Sequence, residues 1–377
     1  MGFVLQDIHL QNWRNFSSYE LTLAPKLTIL HGHNAVGKTN IIEACEVITR
    51  ATSFRKPKNT QLIGKDAETA HILAHITDNA RTITLRGIIT SHKKIFQKNT
   101  KNISPKELSF LLPSVIFTPD DLLFIKQSAQ FRREEFDTFG ASIHAGYQAI
   151  SKTYQQLLLQ RNALLKQPYL DENTLLAWDE SFAKGATALL FARAHLVHRI
   201  KGHISQIYHD VSQHEELDIF YHSSLFDETD DIIALKRQEE QLMQATKDEL
   251  FDLYIQKLTS IHSREIARQQ SLIGPQRDDV LFYVDNKPAR NFASQGQQRS
   301  CVLAQKIAEI LVVKDITGQY PLLLLDDVMS ELDEKRREMT LRFIEERAQT
   351  ILTTTNLSYF SSHILDEAKV VTVHENA

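Results

Sequence analysis

The order of apolar and polar residues divides the chain into stretches of different character. Residues 3–10 and 19–30 alternate as strands do, and the second ends in Lys26-Leu27-Thr28-Ile29-Leu30. It runs into His31-Gly32 and then into a helical pattern from Thr39 to Arg50. From His71 to Ile103, short β-rich pieces separated by Asp-Asn and Ser-His breaks predict an antiparallel meander. From about Phe131 to Arg268 the period becomes that of long polar helices. Ala145–Lys166 carries Tyr154, Leu157, Leu158, Leu164 and Leu165 on one stripe, and further runs span Thr174–His214 and Asp231–Gln270. None sustains heptads long enough for an extended coiled coil. A strand at Val280–Val284, a helix at Gln297–Lys314, a strand at Leu322–Leu325, a helix at Glu334–Arg347 and a strand at Thr350–Thr354 then resume the α/β alternation begun near residue 26. The pattern predicts an α/β protein whose halves, 1–130 and 270–377, enclose an inserted helical domain, 131–269.

With 377 residues, 42% hydrophobic and 24% charged, the chain is long enough to bury a real core, which excludes general disorder. Cys45 and Cys301 both sit in apolar runs, make no disulfide framework and fit a reducing cytosol as packed core residues. The N-terminal residues lack the basic and apolar regions of a signal peptide, and Gln6 breaks the myristoylation pattern. No apolar run approaches the roughly 20 residues of a membrane span, so the expectation is a cytoplasmic protein without a membrane partner. The 16 histidines are scattered, with neither an H-x-x-E-H motif nor a Cys/His cluster, and no zinc site is expected.

The chemistry concentrates in a few motifs. Gly32-His33-Asn34-Ala35-Val36-Gly37-Lys38-Thr39 fits G-x-x-x-x-G-K-[ST] and lies between a predicted strand and a predicted helix, where such a loop cradles phosphates. Lys38 is then expected to reach the β- and γ-phosphates of ATP, and the Thr39 hydroxyl to ligate Mg²⁺. Pro321-Leu322-Leu323-Leu324-Leu325-Asp326-Asp327 is an apolar strand ending in paired acids at the edge where α/β sheets bind ligands. Asp326 is expected to hold Mg²⁺, directly or through water, and Asp327 to orient or deprotonate the attacking water; a strand end followed by a helix cap is the plainer reading. Ser294-Gln295-Gly296-Gln297-Gln298-Arg299 opens a helix, either as a second anion-binding loop or as a simple cap. Ser330-Glu331-Leu332-Asp333 precedes a further, charged helix.

The formal charge of -4 argues against nucleic acid when taken whole. Between Arg50 and Lys106, however, twelve Lys/Arg face only Asp66, Glu68 and Asp78, so this segment carries +9 and the rest -13. Such separation suits a surface that meets a nucleic-acid backbone without reading sequence, with Lys93, Lys94 and Lys98 as its candidates; a solvated basic face is the alternative. The acidic stretch Glu215–Asp231 reads as a solvated loop or a site for a basic partner.

Taken together, GHNAVGKT, SQGQQR, LLLLDD and SELD resemble the ATP-binding cassette (ABC-type) ATPase head, and are similar to the split heads of chromosome-maintenance and break-repair ATPases. The pieces LQNWRNF (Leu10–Phe16), TSFRK (Thr52–Lys56), Pro119-Asp120-Asp121-Leu122, Phe131-Arg132-Arg133, Gln160-Arg161-Asn162 and GPQRDD (Gly274–Asp279) resemble the RecF family of bacterial recombination-repair proteins. The resemblance implies a P-loop ABC-type head with an antiparallel β-lobe and an inserted helical arm (lobe II). It further implies an ATP-dependent homodimer that binds single-stranded or gapped DNA without sequence preference, works with RecO and RecR, helps recombinase loading and takes part in SOS induction. By this resemblance, Gly32 to Thr39 bind ATP, Arg14 lies near the nucleotide, and Ser294, Gln295, Gly296 and Gln297 act on the γ-phosphate of the partner subunit's ATP. Asp327 stands where most cassette ATPases carry Glu, Thr355 where transporters carry a switch histidine, and Gln276 where the RecF pattern usually has His. A weak, DNA-stimulated ATPase used as a conformational switch is therefore expected. The rival from another class is the nucleotide-binding subunit of a membrane transporter.

Overall fold

The computed structural model describes residues 2–374 apart from Asn79, Ala145, Leu170, Gln213, His214 and Glu346. Among the described residues the strands are, in chain order, β1 (Val4–Trp13), β2 (Phe16–Thr22), β3 (Leu27–His31), β4 (Thr69–Thr77), β5 (Thr82–Thr90), β6 (Lys94–Lys98) and β7 (Lys101–Ile103). They continue with β8 (Ser114–Phe117), β9 (Leu217–His222), β10 (Asp279–Val284), β11 (Lys287–Pro288), β12 (Leu322–Asp326), β13 (Thr350–Thr354) and β14 (Lys369–Thr372). The chain forms two compact units, one from the residues up to Leu122 and from Glu309 onward, the other from Leu123–Ala308.

The first unit holds two sheets. Strands β1, β2 and β4 to β7 form an antiparallel sheet in the order β2-β1-β4-β5-β6-β7. Its long strands alternate buried and half-buried positions, because one face packs on the core and the other does not. The second sheet is all parallel, in the order β14-β3-β13-β12-β8. Its inner strands are buried along their length, as the runs Leu322-Leu323-Leu324-Leu325 and Thr350–Thr354 require. The helix Lys38–Arg50 contacts strands of both sheets and is buried nearly all round, with Ile41, Ile42, Ala44, Cys45, Val47 and Ile48 completely buried and Glu43 and Glu46 buried alongside them. Gln349 ties β1 down: its Nε2 donates to the carbonyls of Leu5 (2.7 Å) and Ala24 (2.8 Å), and its Oε1 accepts from the Leu5 N–H (2.7 Å).

Several expectations are corrected. The alternation read as one strand over 19–30 divides between β2 and β3, which belong to different sheets; Pro25 lies in the break, where it could not donate to a ladder. The strands β8 and β14 complete the parallel sheet from short segments without a distinctive period. The second unit is not wholly helical. Within the stretch read as an acidic loop, Leu217, Ile219, Phe220 and Tyr221 are buried on β9, which pairs antiparallel with β10. The helical pattern over 231–270 is two helices, Ile232–Gln244 and Lys247–Arg268, because Thr246 starts the second with a capping box to Glu249. The helix starts expected at Ala145 and ends expected at His214 lie outside the described residues; the helices run Tyr147–Leu165 and Glu172–Ser212. The division into units also differs from the expected 130 and 270, since Ser294 to Gln297 belong to the unit Leu123–Ala308.

Three arginines hold that second unit together. Arg161, fully buried, donates from Nε and Nη2 to Asp179 (2.8 and 2.6 Å), from Nη2 to Glu265 (2.6 Å) and from Nη1 to Ser271 (2.8 Å). Asn162 accepts the Ser271 N–H at 2.7 Å. Arg132 forms a two-pronged pair with Asp279 (2.9 and 2.6 Å), and Arg193 pairs with Asp137 (2.9 and 2.9 Å) while donating to the Pro275 carbonyl (2.8 Å). Asp278 accepts from Tyr221 (2.5 Å) and the Ser224 N–H (2.7 Å), and its complete burial raises its carboxyl above the usual range. Removing one member of a buried ion cluster strands the others without water. Arg161→Met is expected to destabilise the protein by about 3–5 kcal/mol in urea unfolding, whereas breaking the exposed pair of Lys184 with Glu180 should leave the urea midpoint nearly unchanged.

Candidate functional site

Strands β3 and β12 flank β13 in the parallel sheet, so the segments that follow them leave from the same edge. Register sets Asp326 beside Thr353 and Thr353 beside Leu30, one residue before His31 ends β3. The chain leaving β3 forms the loop Gly32–Gly37 and enters the helix at Lys38. His33, Asn34 and Ala35 are exposed at its crest, whereas Val36 and Lys38 are buried. Gly37 has φ +108°, and a Cβ there would lie 2.6 Å from the Phe16 ring; Gly32 approaches the Val373 carbonyl so closely that its Cβ would stand 2.6 Å from the oxygen. Loop shape and strand packing thus both require glycine. Asn15 supports the loop by donating to the Val36 carbonyl at 3.3 Å.

Lys38 Nζ donates to the carbonyls of Gly32 (2.8 Å) and His33 (2.7 Å). Burial lowers its pKa, and the charges of Asp327 and Asp326 oppose that shift. Asp326 Oδ1 accepts from Thr39 (2.9 Å) and from Thr353 (2.8 Å), and the Thr353 hydroxyl accepts the Asp327 N–H at 2.9 Å. Burial raises the pKa of Asp326 despite these hydrogen bonds. Asp327 is raised by burial first and then by the neighbouring Asp326 charge. Its backbone is left-handed, φ +51°, and its buried Oδ1 has no hydrogen-bond partner. Thr39 Oγ1 and Asp326 Oδ1, 2.9 Å apart, are oxygen donors that fit a hard cation such as Mg²⁺, and the neighbouring Asp327 Oδ1 is buried without a hydrogen bond. The structure therefore brings Lys38, Thr39, Asp326 and Asp327 into one site.

Arg14 is anchored to the helix that follows the glycine loop. In the turn between β1 and β2, with φ +53°, its guanidinium grips Glu43 of the phosphate-loop helix through Nε (2.8 Å) and Nη2 (2.6 Å) and donates to the Gln61 carbonyl (2.8 Å). Glu43 is completely buried and also accepts from Ser53 (2.5 Å), while Arg55 stands 3.7 Å away. The pieces LQNWRNF and TSFRK thus converge on one buried glutamate of that helix.

Ser294 to Gln297 lie in the second unit and cap the helix Gln295–Thr317. Ser294 Oγ accepts the Gln297 N–H (3.2 Å), Gln297 Oε1 accepts the Ser294 N–H (2.7 Å), and Gln297 Nε2 donates to Glu215 (2.8 Å). The helix cap read from the sequence is present in this loop. Gln276 is likewise internal to that unit, bonded with Tyr154 and donating to the Ile273 carbonyl at 2.9 Å.

The basic segment divides by strand parity. Lys94 shares the core-facing side of β6 with Phe96, pairs in register with Ile89, and is partly desolvated toward Glu43 and Glu46, with its pKa lowered by burial. Arg50 and Arg55 also turn toward these glutamates, and Arg81 pairs with Asp78. Lys94 is therefore withdrawn from the proposed backbone-meeting set, while Lys58, Lys65, Arg86, Lys93, Lys101 and Lys106 are exposed. Thr353 and Glu43 escaped the sequence reading. A threonine in a buried strand next to a carboxylate strand, and an acid inside an otherwise apolar helix, were the available signals.

Residues 4–377 match the model of the RecF/RecN/SMC N terminal domain family. The chain is 33% identical over 372 residues to the DNA replication and repair protein RecF of Lactobacillus acidophilus, covering 97% of this chain and 96% of that protein. It is 34% identical over 378 residues to the RecF protein of Exiguobacterium sp., covering 98% and 97%. Among solved structures, the recombination mediator protein RecF with ATP in the RecFOR pathway superposes with TM-score 0.83 at 26% identity, over 96% of this chain and 94% of that one. An Smc head bound to the C-winged helix domain of ScpA matches with TM-score 0.52 at 13% identity over 94% and 90%, a likeness of fold. The fold is that of ABC-type ATPase heads. The chain belongs to the RecF/RecN/SMC N terminal domain family and, within it, to the bacterial RecF proteins.

Proposed function

We propose that this chain is an ATP-switched DNA-binding protein of recombinational repair and replication. The observation that carries the proposal is the single site formed by Lys38, Thr39, Asp326 and Asp327 around a glycine-bounded loop. The loop amides and the N-terminus of the helix Lys38–Arg50 bind the ATP phosphates, and Lys38 supplies the positive charge for the β- and γ-phosphates. Thr39 and Asp326 would hold Mg²⁺, which when bound neutralises phosphate charge. Asp327 accepts the proton of the attacking water; its raised pKa suits a base, but an aspartate reaches less far than a glutamate, so turnover is slow and nucleotide acts as a switch. Ser294 to Gln297 of a second copy complete the site in an ATP-dependent homodimer. DNA, single-stranded or gapped, meets the exposed basic residues of the antiparallel sheet, with RecO and RecR as partners in a cytoplasmic pathway of recombinase loading and SOS induction.

The names of the relatives support this reading over the transporter subunit, since they are DNA replication and repair proteins. Among the described residues no helix is long and apolar enough to cross a membrane.

Lys38→Ala is expected to weaken ATP binding by at least about 100-fold in calorimetry while the urea midpoint stays that of the wild type; unchanged affinity would refute the phosphate-loop assignment. Ser294→Arg is expected to leave ATP binding by each monomer intact and to abolish the ATP-dependent mass increase in light scattering. Charge reversal at Arg86, Lys93 and Lys101 is expected to weaken DNA binding about tenfold or more and to flatten its salt dependence, whereas reversal at Lys94 alone perturbs stability through Glu43 and Glu46. DNA affinity indifferent to the triple reversal removes the antiparallel sheet as the DNA surface.

A further inference from the structure

The face of the antiparallel sheet turned away from the core carries a cluster of metal-ligating side chains that the ATP site does not use. Ile8, Leu10, Ile72, Ala74 and Ile76 point into the core, so Asp7 and His9 of β1 and His75 of β4 lie half-buried on the opposite side. Register sets Asp7 against His75, and His9 against Glu20 of β2. A register shift between Leu5 and Asp7 creates this arrangement. Without the extra residue, strict alternation from the buried Leu5 would turn Asp7 inward; the bulge turns Asp7 outward and keeps Ile8 and Leu10 in the core.

The donor atoms of Asp7, His9 and His75 all lie within 4.8 Å of one another. His75 Nδ1 is 2.6 Å and His9 Nε2 3.2 Å from the same Asp7 oxygen, Oδ1. On its other side, His9 Nδ1 is 3.2 Å from Glu20 Oε1. A carboxylate at Nδ1 fixes the tautomer in which Nε2 presents its lone pair to the cluster, the arrangement that orients a metal-bound histidine from behind. Both histidine side chains remain about one third exposed (35% and 31%), which leaves an entry path from solvent.

We propose that Asp7, His9 and His75 form a Zn²⁺ site, with Glu20 as the residue that positions His9. Two imidazoles and one carboxylate are a three-ligand zinc set that leaves a fourth position to water. The ion joins β1 to β4 and, through Glu20, to β2, on the sheet face away from the phosphate-loop helix. The sequence-based expectation of no zinc rested on contiguous motifs. Here the donors come from separate strands and are assembled only by pairing.

The test uses the full chain, freed of metal by a chelator and titrated with Zn²⁺ by calorimetry, without nucleotide. The wild type is expected to take up one equivalent that the His9→Gln/His75→Gln double variant binds at least tenfold more weakly, and Glu20→Gln is expected to weaken it about tenfold through loss of orientation. Co²⁺ in place of Zn²⁺ is expected to give a visible d–d band in the wild type and none in the double variant. Asp7→Asn keeps the shape of the cluster and removes its anionic donor, so it should also lose the band while retaining the metal-free urea midpoint. Equal Zn²⁺ affinity and stoichiometry in wild type and double variant, or a wild type without the Co²⁺ band, would overturn the proposal and leave a hydrogen-bonded His-Asp-His group.

Discussion

Burial of the helix Lys38–Arg50 between two sheets is the constraint on which the first unit turns. A helix enclosed on nearly all sides has no polar face to give to water, so every charged residue on it must be answered from the surrounding elements. Glu43 is answered by Arg14 and Ser53, and Glu46 accepts the Phe54 N–H at 2.6 Å. These contacts draw the β1–β2 turn and the segment after the helix onto the same element that begins with the phosphate loop. The helix that follows the glycine loop is thereby tied to the β1–β2 turn of the antiparallel sheet.

The same economy governs the edge of the parallel sheet. Asp326 and Asp327 are adjacent carboxylates; burial raises the cost of ionising both, and the Asp326 charge adds to that cost for Asp327. Thr39 and Thr353 offset part of that cost for Asp326, but Asp327 keeps a buried oxygen without a hydrogen bond. A site with this residual demand for a positive partner is prepared for a cation.

In the second unit the pieces around Arg132, Arg161 and Asp278 make internal contacts. Arg132 pairs with Asp279 and Arg133 donates to the Asp278 carbonyl, while Arg161 binds Asp179 and Glu265, Asn162 accepts the Ser271 N–H, and Asp278 accepts from Tyr221 and the Ser224 N–H, all inside the unit. Their charges are retained where an apolar core would also pack, and the gain is a set of directional contacts that admits one arrangement of helices around β9 and β10. Short motifs shared within a family therefore mark both reaction chemistry and scaffold, and spacing alone does not separate the two.

The phosphate loop, the strand ending in paired carboxylates and the α/β alternation on either side of a helical insertion were legible in the sequence, because each depends on residues close along the chain: glycines at fixed offsets, an apolar run and the period of a helix. The roles of Arg14, Glu43, Thr353 and Lys94 were not, since each is set by a partner from a distant segment or by the parity of a strand whose register the sequence leaves open. The same holds for β9, hidden in an acidic stretch, and for the grouping of Asp7, His9 and His75. By itself the sequence determined which local chemistry this protein carries. Only the tertiary structure decided which of those groups meet, because strand pairing and burial, unlike motif spacing, act between residues remote along the chain.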